Sequence, residues 1–332
     1  MTDEVVSIGV DLGGTKIEAA VLKRPKILPS GVRVAPAKAG FDVLLRERIA
    51  THQERGYEAI VETTAELIVN VAKSAGLDLD RTPVGVGMPG AITRRGGVVK
   101  NSNTVCLNGR PFRADLMKRV GREILFENDA NCFALAEARL GAAREHVDGL
   151  VFGVIMGSGV GGGLVFRGKI WPGPQNIAGE WGHHAVGPWG GAEKTPNPGG
   201  TLGPRPVCYC GKTGCLEMYI SGLWVEQEYE RRSGRHLKLV ELAERREHDP
   251  HAKGAIEELV EAFGRGLANV IDILDPSAVV LGGGVSNLDL LYTEGVARVG
   301  AYVFNDELDT PILRHLLGDS AGVLGAALLD GA

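Results

Sequence analysis

No apolar stretch in this 332-residue chain approaches the roughly 18 residues of a membrane-crossing helix; the longest candidate, Leu150 to Met156, has only the length of a strand. Positive charge is not in excess. The 36 Lys and Arg residues stand against 41 Asp and Glu, a net charge of −5, so a chain-wide basic field for nucleic acid is absent. Arg231-Arg232 and Arg245-Arg246 fall in helix-like stretches of mixed charge and read as solvated faces. The acidic start, Met1-Thr2-Asp3-Glu4, and the Gly-Gly that interrupts the apolar run after it do not read as a secretory signal, and the expected compartment is the cytoplasm. There is no G-x-x-x-x-G-K-[ST] segment, which excludes a P-loop, and no Gly-X-Y period, which excludes collagen. Cysteine is scarce, at five residues, and a chain of this length needs no disulfide or metal merely to fold. Cys106 and Cys132 are isolated and read as structural.

Glycine is what the chain has in abundance: 48 of 332 residues, about 14 %, twice the typical ~7 %. The glycines cluster beside apolar runs, which points to tight turns or to backbone lying close to a ligand, not to a flexible linker. Val5 to Val10 reads as a buried strand that enters Asp11-Leu-Gly-Gly-Thr-Lys16, with a second strand over Ile17 to Leu22. The same unit returns later: Leu150 to Met156, then Gly157-Ser-Gly-Val-Gly-Gly-Gly163, then the strand-like Leu164 to Phe166. Helical patterns cover Tyr57 to Ala75, Pro111 to Val120, Ala130 to Leu140, most of Leu216 to Leu274, and Ala321 to Leu329. Short strands are expected at Val84 to Met88, Ile124 to Phe126, Ala278 to Leu281 and near Ile312, and a long Gly- and Pro-rich loop at 172–206. The alternation of strand and helix predicts an α/β fold in two lobes, each opening with a glycine hairpin.

Backbone N–H groups of a glycine turn can converge on a phosphate because no Cβ blocks the approach. Two such turns can grip one nucleotide. Asp11, at a strand end, can hold Mg²⁺ directly or through water, while Thr15 and Lys16 add a hydroxyl and a charge. Gly157, Gly159 and Gly162 also fit G-x-G-x-x-G, with Glu180 beyond. That dinucleotide pattern requires a following helix, and Leu-Val-Phe-Arg-Gly does not start one. Asp129 stands where a strand gives way to a helix. It can accept a proton from a substrate hydroxyl, or it can serve as the N-cap of a helix starting at Ala130.

Cys208, Cys210 and Cys215 crowd into eight residues. An odd, clustered set in a cytosolic chain points to a metal, and zinc takes four ligands in a tetrahedron. His183 and His184, in Gly179-Glu-Trp-Gly-His-His184, are both available as the fourth. Glu180 and Glu217 flank these ligands. Carboxylates held by a rigid loop suit recognition of several sugar hydroxyls, although surface charge is the usual fate of glutamate.

Together these segments resemble the ROK family of sugar kinases, repressors and related reading frames, within the actin/hexokinase-like superfamily. The segments that carry the resemblance are Asp11 to Lys16, Gly87-Met-Pro-Gly90, Glu127-Asn-Asp-Ala130, Gly157 to Gly163, Gly179 to His183, Cys208 to Glu217 and Val280-Leu-Gly-Gly-Gly284, in order over essentially the whole chain. The resemblance implies a two-lobed actin/hexokinase-like, ribonuclease H-like α/β fold with a zinc-bearing loop. Residues 1–127, completed by a C-terminal helix at 321–332, would form one lobe, and 128–320, with the zinc loop 178–217, the other. It implies ATP-dependent phosphorylation of a hexose with Asp129 as base. Gly90, Asn103, Asn128, Asp129, Glu180, His183 and Glu217 would bind the sugar. Asp11, Gly13, Gly14, Thr15, Lys16, Gly157, Ser158, Gly159, Gly161, Gly283 and Gly284 would bind ATP with Mg²⁺. His183, Cys208, Cys210 and Cys215 would bind structural zinc. It also suggests a homodimer. The family's repressors carry an N-terminal helix-turn-helix, for which a first strand beginning near Val5 leaves no room, so no DNA partner is expected. The segment Val99 to Phe112 and the long loop from Ala185 to Val207 look most like the bacterial fructokinase/mannokinase branch. Fructose is therefore the first expected sugar, with N-acetylglucosamine or glucose as the alternative, and a non-catalytic sugar sensor as a remoter one.

Overall fold

The computed structural model describes residues 4–25, 40–186 and 206–331. In chain order the elements are β1 (Glu4–Leu12), β2 (Lys16–Pro25), β3 (Asp42–Ala50), α1 (Tyr57–Ser74), β4 (Val84–Met88), β5 (Ala91–Ile92), β6 (Val99–Lys100), α2 (Phe112–Val120), β7 (Leu125–Asn128) and α3 (Asp129–Arg139). They continue with β8 (Leu150–Met156), β9 (Val160–Phe166), β10 (Lys169–Ile170), α4 (Glu217–Ile220), α5 (Gly222–Ser233), α6 (Leu239–Arg245), α7 (Pro250–Leu274), β11 (Ala278–Gly282), α8 (Glu294–Gly300), β12 (Ile312–Arg314) and α9 (Ala321–Ala327). Two five-stranded sheets have the orders β3-β2-β1-β4-β7 and β10-β9-β8-β11-β12. The order is the same in each: a hairpin pair and its third strand, then two further strands on the other side of the first. The echo between the two glycine hairpins of the sequence is thus an echo of whole sheets. Among the described residues no helix is long and apolar enough to cross a membrane.

Contacts divide the chain into two compact units, Met1–Gly153 with Gly163–Ala178 and Leu316–Ala332, and Val154–Gly162 with Gly179–His315. The first contains the β3-β2-β1-β4-β7 sheet. Strands β1, β2 and β3 are antiparallel, while β4 runs parallel to β1 and β7 parallel to β4. One core of this unit joins Ile8, Val10 and Leu12 of β1 to Ile60, Ile68 and Val71 of α1 and to Phe112 and Leu116 of α2, all of them buried. Strand β3 is absent from the sequence-based expectation. It is an edge strand whose residues alternate between exposed and half-buried. Its Leu-Arg-Glu-Arg run therefore carries too few buried apolar positions to announce a strand. Residues 187–205 of the predicted long loop lie outside the described residues.

The sequence points to tight turns or to backbone close to a ligand for the clustered glycines. Many of them instead let two backbones touch. A Cβ at Gly9 would overlap the Val323 carbonyl oxygen of α9, one at Gly85 the Ala326 carbonyl oxygen, and one at Gly325 the Cys132 carbonyl oxygen of α3. At Gly322 it would lie 2.7 Å from the Asp11 carboxylate. Helix α9 consequently packs directly on β1 and β4, with α3 against its other side. The tail is further tied down where the Ser7 hydroxyl donates to the Ala327 carbonyl (2.6 Å) and where buried Arg24 pairs with Asp330. Glu137, fully buried on α3, accepts from the backbone N–H groups of Ala142, Leu316 and Leu317. The overpacking at these sites makes Gly85→Ala and Gly325→Ala each expected to lower stability by about 1–3 kcal/mol or more. Gly40→Ala, whose Cβ meets nothing within 4 Å, should stay within ~0.5 kcal/mol. Urea denaturation of the three variants measures this; equal stabilities would refute the packing role.

Candidate active site and metal centre

In the first unit the candidate residues gather at the carboxyl ends of the parallel strands β1, β4 and β7, the edge of an open α/β sheet at which ligands bind. Strand register puts Arg48, Glu18, Asp11, Gly87 and Glu127 in one row across β3, β2, β1, β4 and β7. Residues paired directly across a sheet share a face, so three carboxylates and a guanidinium line one side, with Gly87 as the gap. Arg46 (2.5 Å) and Arg48 (2.5 and 2.8 Å) hold the buried Glu18 carboxylate. Asp11 is pushed up to about 7, first by burial, then by the fields of Asp129 and Glu18, against which Lys16 and Arg48 act. A carboxyl so placed would gain from a divalent cation, and oxygen is the donor Mg²⁺ takes.

The first glycine turn is closed by the Gly13 N–H donating to the Lys16 carbonyl (2.9 Å). Thr51, just beyond β3 and fully buried, braces it: its hydroxyl donates to the Gly13 carbonyl (2.7 Å) and its N–H to the Thr15 carbonyl (3.0 Å). Thr104 also faces this turn, its hydroxyl oxygen 3.7 Å from where a Gly14 Cβ would stand; that buried oxygen has no hydrogen-bond partner among the described residues. Neither threonine carries a sequence signal. Thr15 is exposed, and so is Asn103, between buried Ser102 and Thr104.

Asp129 is the first residue of α3, but the N-cap is Asn128, whose side-chain oxygen accepts from the N–H groups of Ala130 (2.9 Å) and Asn131 (3.4 Å). The helix therefore starts one residue earlier than expected and leaves the cap to its neighbour. The Asp129 carboxylate itself accepts from the Ala130 N–H (2.9 Å). The Asn128 side-chain nitrogen donates to the Gly90 carbonyl (3.0 Å), so both ends of this expected sugar ligand are engaged with backbone. Gly90 has φ +79°, and a Cβ there would meet the Ser102 nitrogen at 2.8 Å; only glycine fits. Cys132 is fully buried beside Glu127, Asp11 and Asp129, and burial followed by their charge raises its thiol well above the ordinary range. It is an inert packing residue.

In the second unit the glycine segment is shorter than the sequence suggests. The turn occupies 157–159, and Gly161 lies inside β9, where its carbonyl accepts from the Trp181 indole N–H (3.0 Å). The Gly157 N–H donates to the Gly159 carbonyl (2.9 Å), and the Gly157 carbonyl accepts from the Gly222 N–H at the start of α5 (2.8 Å). Ser158 is exposed. Glu217, expected at the sugar, is buried and accepts from the Val160 N–H (2.9 Å), so one donor of the turn is already taken. Gly283, at the end of β11, has φ +79°, and a Cβ there would press on the Met156 backbone at the end of β8. Gly284 has open space around it.

The metal loop is built by short-range backbone bonds. The Cys208 N–H donates to the Lys212 carbonyl (2.8 Å), the Gly211 N–H to the Cys208 carbonyl (2.9 Å) and the Leu216 N–H to the His184 carbonyl (3.0 Å). They bring His183, Cys208, Cys210 and Cys215 together with their ligand atoms all within 4.8 Å of one another. Cys210 Sγ is 3.6 Å from Cys215 Sγ, and Cys208 Sγ is 3.6 Å from His183 Nδ1. Tetrahedral zinc, with bonds near 2.3 Å to sulfur and 2.0–2.1 Å to nitrogen, separates its ligands by roughly 3.6–3.8 Å. The donor set and its spacing fit zinc. Burial pushes the Cys215 thiol up to about 12, which a bound cation would reverse. The choice between the two histidines, which spacing leaves open, falls on His183. His184 instead packs edge-on against Trp181, its buried Nε2 without a hydrogen-bond partner among the described residues and its pKa lowered by burial.

Paired α/β sheets of equal strand order, carboxylates at strand ends and a Cys₃His loop define a hexokinase-like α/β protein. The ROK family model matches residues 7–331. The chain is 36 % identical over 326 residues to the N-acetyl-D-glucosamine kinase of Vibrio cholerae, spanning 97 % of this chain and 98 % of that protein. It is 35 % identical over 333 residues to the enzyme of the same name from Photobacterium profundum, spanning 97 % and 98 %. Among solved structures it is similar to the ROK hexokinase from Thermus thermophilus, with TM-score 0.77 and 31 % identity over 98 % of this chain and 97 % of that one. A ROK family glucokinase from Streptomyces griseus, solved with glucose and AMPPNP, gives TM-score 0.72 and 28 % identity, with 98 % of each chain covered. The chain belongs to the ROK family. The curated relatives named here are N-acetyl-D-glucosamine kinases, which favours the alternative sugar over the fructose expected from the segment Val99 to Phe112 and the long loop.

Two measurements test these sites. Elemental analysis should find one zinc per chain, largely lost in Cys210→Ser and His183→Ala and retained in His184→Ala; unchanged zinc in Cys210→Ser would reject the centre. Asp11 has a folded pKa above its ordinary 3.8. It therefore disfavours the folded state increasingly as pH rises past 3.8 and through about 7. Without metal, Asp11→Asn should be more stable than the parent at pH 8, by up to about 4 kcal/mol at ~1.4 kcal/mol per pH unit, and close to it at pH 4. A pH-independent difference in urea midpoint would refute this.

Proposed function

We propose that this ROK-family sugar kinase transfers the γ-phosphoryl group of ATP to the primary hydroxyl of N-acetyl-D-glucosamine. The observation that carries the sugar is the 36 % identity, over nearly the full length of both chains, to the Vibrio cholerae enzyme. Asp129 is the base. It opens α3 directly after β7, at the carboxyl end of the sheet beside Asp11 and Glu127, where a carboxylate can take the proton of the attacking hydroxyl. Asn103, Glu180, His183 and Glu217 bind the sugar, with Gly90 and Asn128 shaping the backbone beside Asp129. The turns at Gly13, Gly14 and Gly157 to Gly159, with Thr15, Lys16, Gly161, Gly283 and Gly284, hold ATP. Phosphoryl transfer needs little covalent help, so these groups act by alignment and charge. Mg²⁺, when bound near Asp11, supplies neutralisation of the phosphates. Zinc, held by His183, Cys208, Cys210 and Cys215, is structural, since all four positions are protein ligands.

ADP release over a panel of N-acetylglucosamine, glucose, mannose and fructose tests the reading. N-acetylglucosamine should give the highest kcat/KM, at least ~10-fold above the others; a maximum at fructose would restore the fructokinase expectation, and sugar-independent silence would leave a sensor. Asp129→Asn should keep the fold and lose roughly 10²–10⁴-fold in kcat. A loss of only a few-fold would remove Asp129 from the role of base.

A further inference from the structure

Residues 13–16 make the first glycine turn. A four-residue turn is commonly closed by the carbonyl of its first residue accepting the N–H of its fourth. Here the Gly13 carbonyl is engaged from outside the turn. The Thr51 hydroxyl donates to it (2.7 Å), while the Thr51 N–H donates to the Thr15 carbonyl (3.0 Å). One residue makes both bonds because β2 pairs Lys16 with Ala50, the last residue of β3, so Thr51 falls opposite Thr15. Thr51 is fully buried.

The C=O of residue 13 and the N–H of residue 14 belong to one planar trans peptide and point opposite ways. Two consecutive glycines tolerate many backbone conformations, so residue type alone does not fix the direction of that plane. The Thr51 hydroxyl fixes it. With the Gly13 carbonyl drawn toward Thr51, the Gly14 N–H points away from it. The Gly13 N–H is spent on the Lys16 carbonyl, whereas the N–H groups of Gly14 and Thr15 have no hydrogen-bond partner among the described residues. Gly14 is half-buried and Thr15 exposed, so both donors can be reached by a ligand. Successive open N–H groups in a turn suit an anionic oxygen.

We infer that Thr51 is a positioning residue for the nucleotide: its hydroxyl sets the peptide plane between Gly13 and Gly14 so that the Gly14 N–H meets a phosphate oxygen. The inference rests on the ATP-dependent kinase reading and deepens it, since it names what holds the phosphate turn ready.

Thr51→Val removes the hydroxyl and keeps the backbone N–H and the shape; Thr51→Ser keeps the hydroxyl. Thr64→Val is the matched control. Thr64 is a fully buried threonine of the same unit whose hydroxyl donates to the Ile60 carbonyl within α1, away from the turn. Urea midpoints, calorimetric Kd for AMPPNP with Mg²⁺ and for N-acetylglucosamine, and KM and kcat with ATP are measured for each. In Thr51→Val, Kd for AMPPNP and KM for ATP should rise together by about five- to ten-fold, the size of one lost hydrogen bond. A contact made alike in the ground and transition states leaves kcat changed less than ~3-fold. Kd for N-acetylglucosamine should stay within about two-fold, Thr51→Ser should return the nucleotide constants to within about two-fold of the parent, and Thr64→Val should lose stability without moving them. Unchanged nucleotide constants in Thr51→Val, equal weakening in Thr51→Ser, or equal weakening in Thr64→Val would each overturn the assignment. If Thr51→Val does not fold, Thr51→Ala is read by the same criteria. Parent protein that does not bind AMPPNP overturns the ATP-dependent reading itself; parent protein that binds it as tightly as Thr51→Val does overturns the role of Thr51 alone.

Discussion

The first unit depends on one contact, the approach of helix α9 to the backbones of β1 and β4. Val323 and Ala326 present their carbonyl oxygens where Cβ atoms would stand on Gly9 and Gly85, and Gly325 accepts the Cys132 carbonyl of α3 in the same manner. Close packing of this kind gains dispersion over many atom pairs and tolerates no added methyl. It also sets the chemistry. The helix that lies on β1 puts Gly322 against the Asp11 carboxylate, which excludes water from that carboxyl and raises its pKa. A stability feature and a candidate ligand are therefore the same contact.

The carboxylates at the strand ends follow from register. Once β1 pairs Asp11 with Glu18 and with Gly87, and β4 pairs Gly87 with Glu127, the acidic row is fixed on one face of the sheet. Such a row is tolerable because each member has its own compensation. Arg46 and Arg48 hold Glu18, while the Asn128 N–H and the Asn131 side-chain amide donate to Glu127. Asp11 is the member with the least, and its proton affinity rises accordingly. A site that keeps one carboxylate poorly compensated gives up stability for the capacity to bind a cation.

In the second unit the metal loop does more than bring four ligands together. The Glu217 carboxylate, two residues past Cys215, reaches the Val160 N–H, and Trp181, two residues before His183, bonds the Gly161 carbonyl. The loop is thereby fastened to the glycine turn and to β9. A metal that orders the loop would order these side chains too, by the coupling of ligand binding to local folding.

The sequence alone determined the family. Its motifs are local, each a few adjacent residues whose spacing is chemistry in itself: Asp11 to Lys16, the Cys208 to Glu217 segment, and the two hairpins. Apolar runs bounded by glycine made β1, β2, β4, β8 and β11 legible, whereas β3, with charges along an exposed edge, was not. Only tertiary structure decided the rest, because it depends on residues far apart in the chain. Gly9 acts with Val323, Thr51 with Gly13, Glu217 with Val160, and Tyr209 with His183. Spacing offers two histidines to the metal; the fold brings His183, and not His184, together with the three cysteines. It offers Asp129 as a helix N-cap; the structure gives that place to Asn128. Composition shows that glycine is abundant, but only packing separates glycines that turn the chain from those that let a helix lie flat on a sheet.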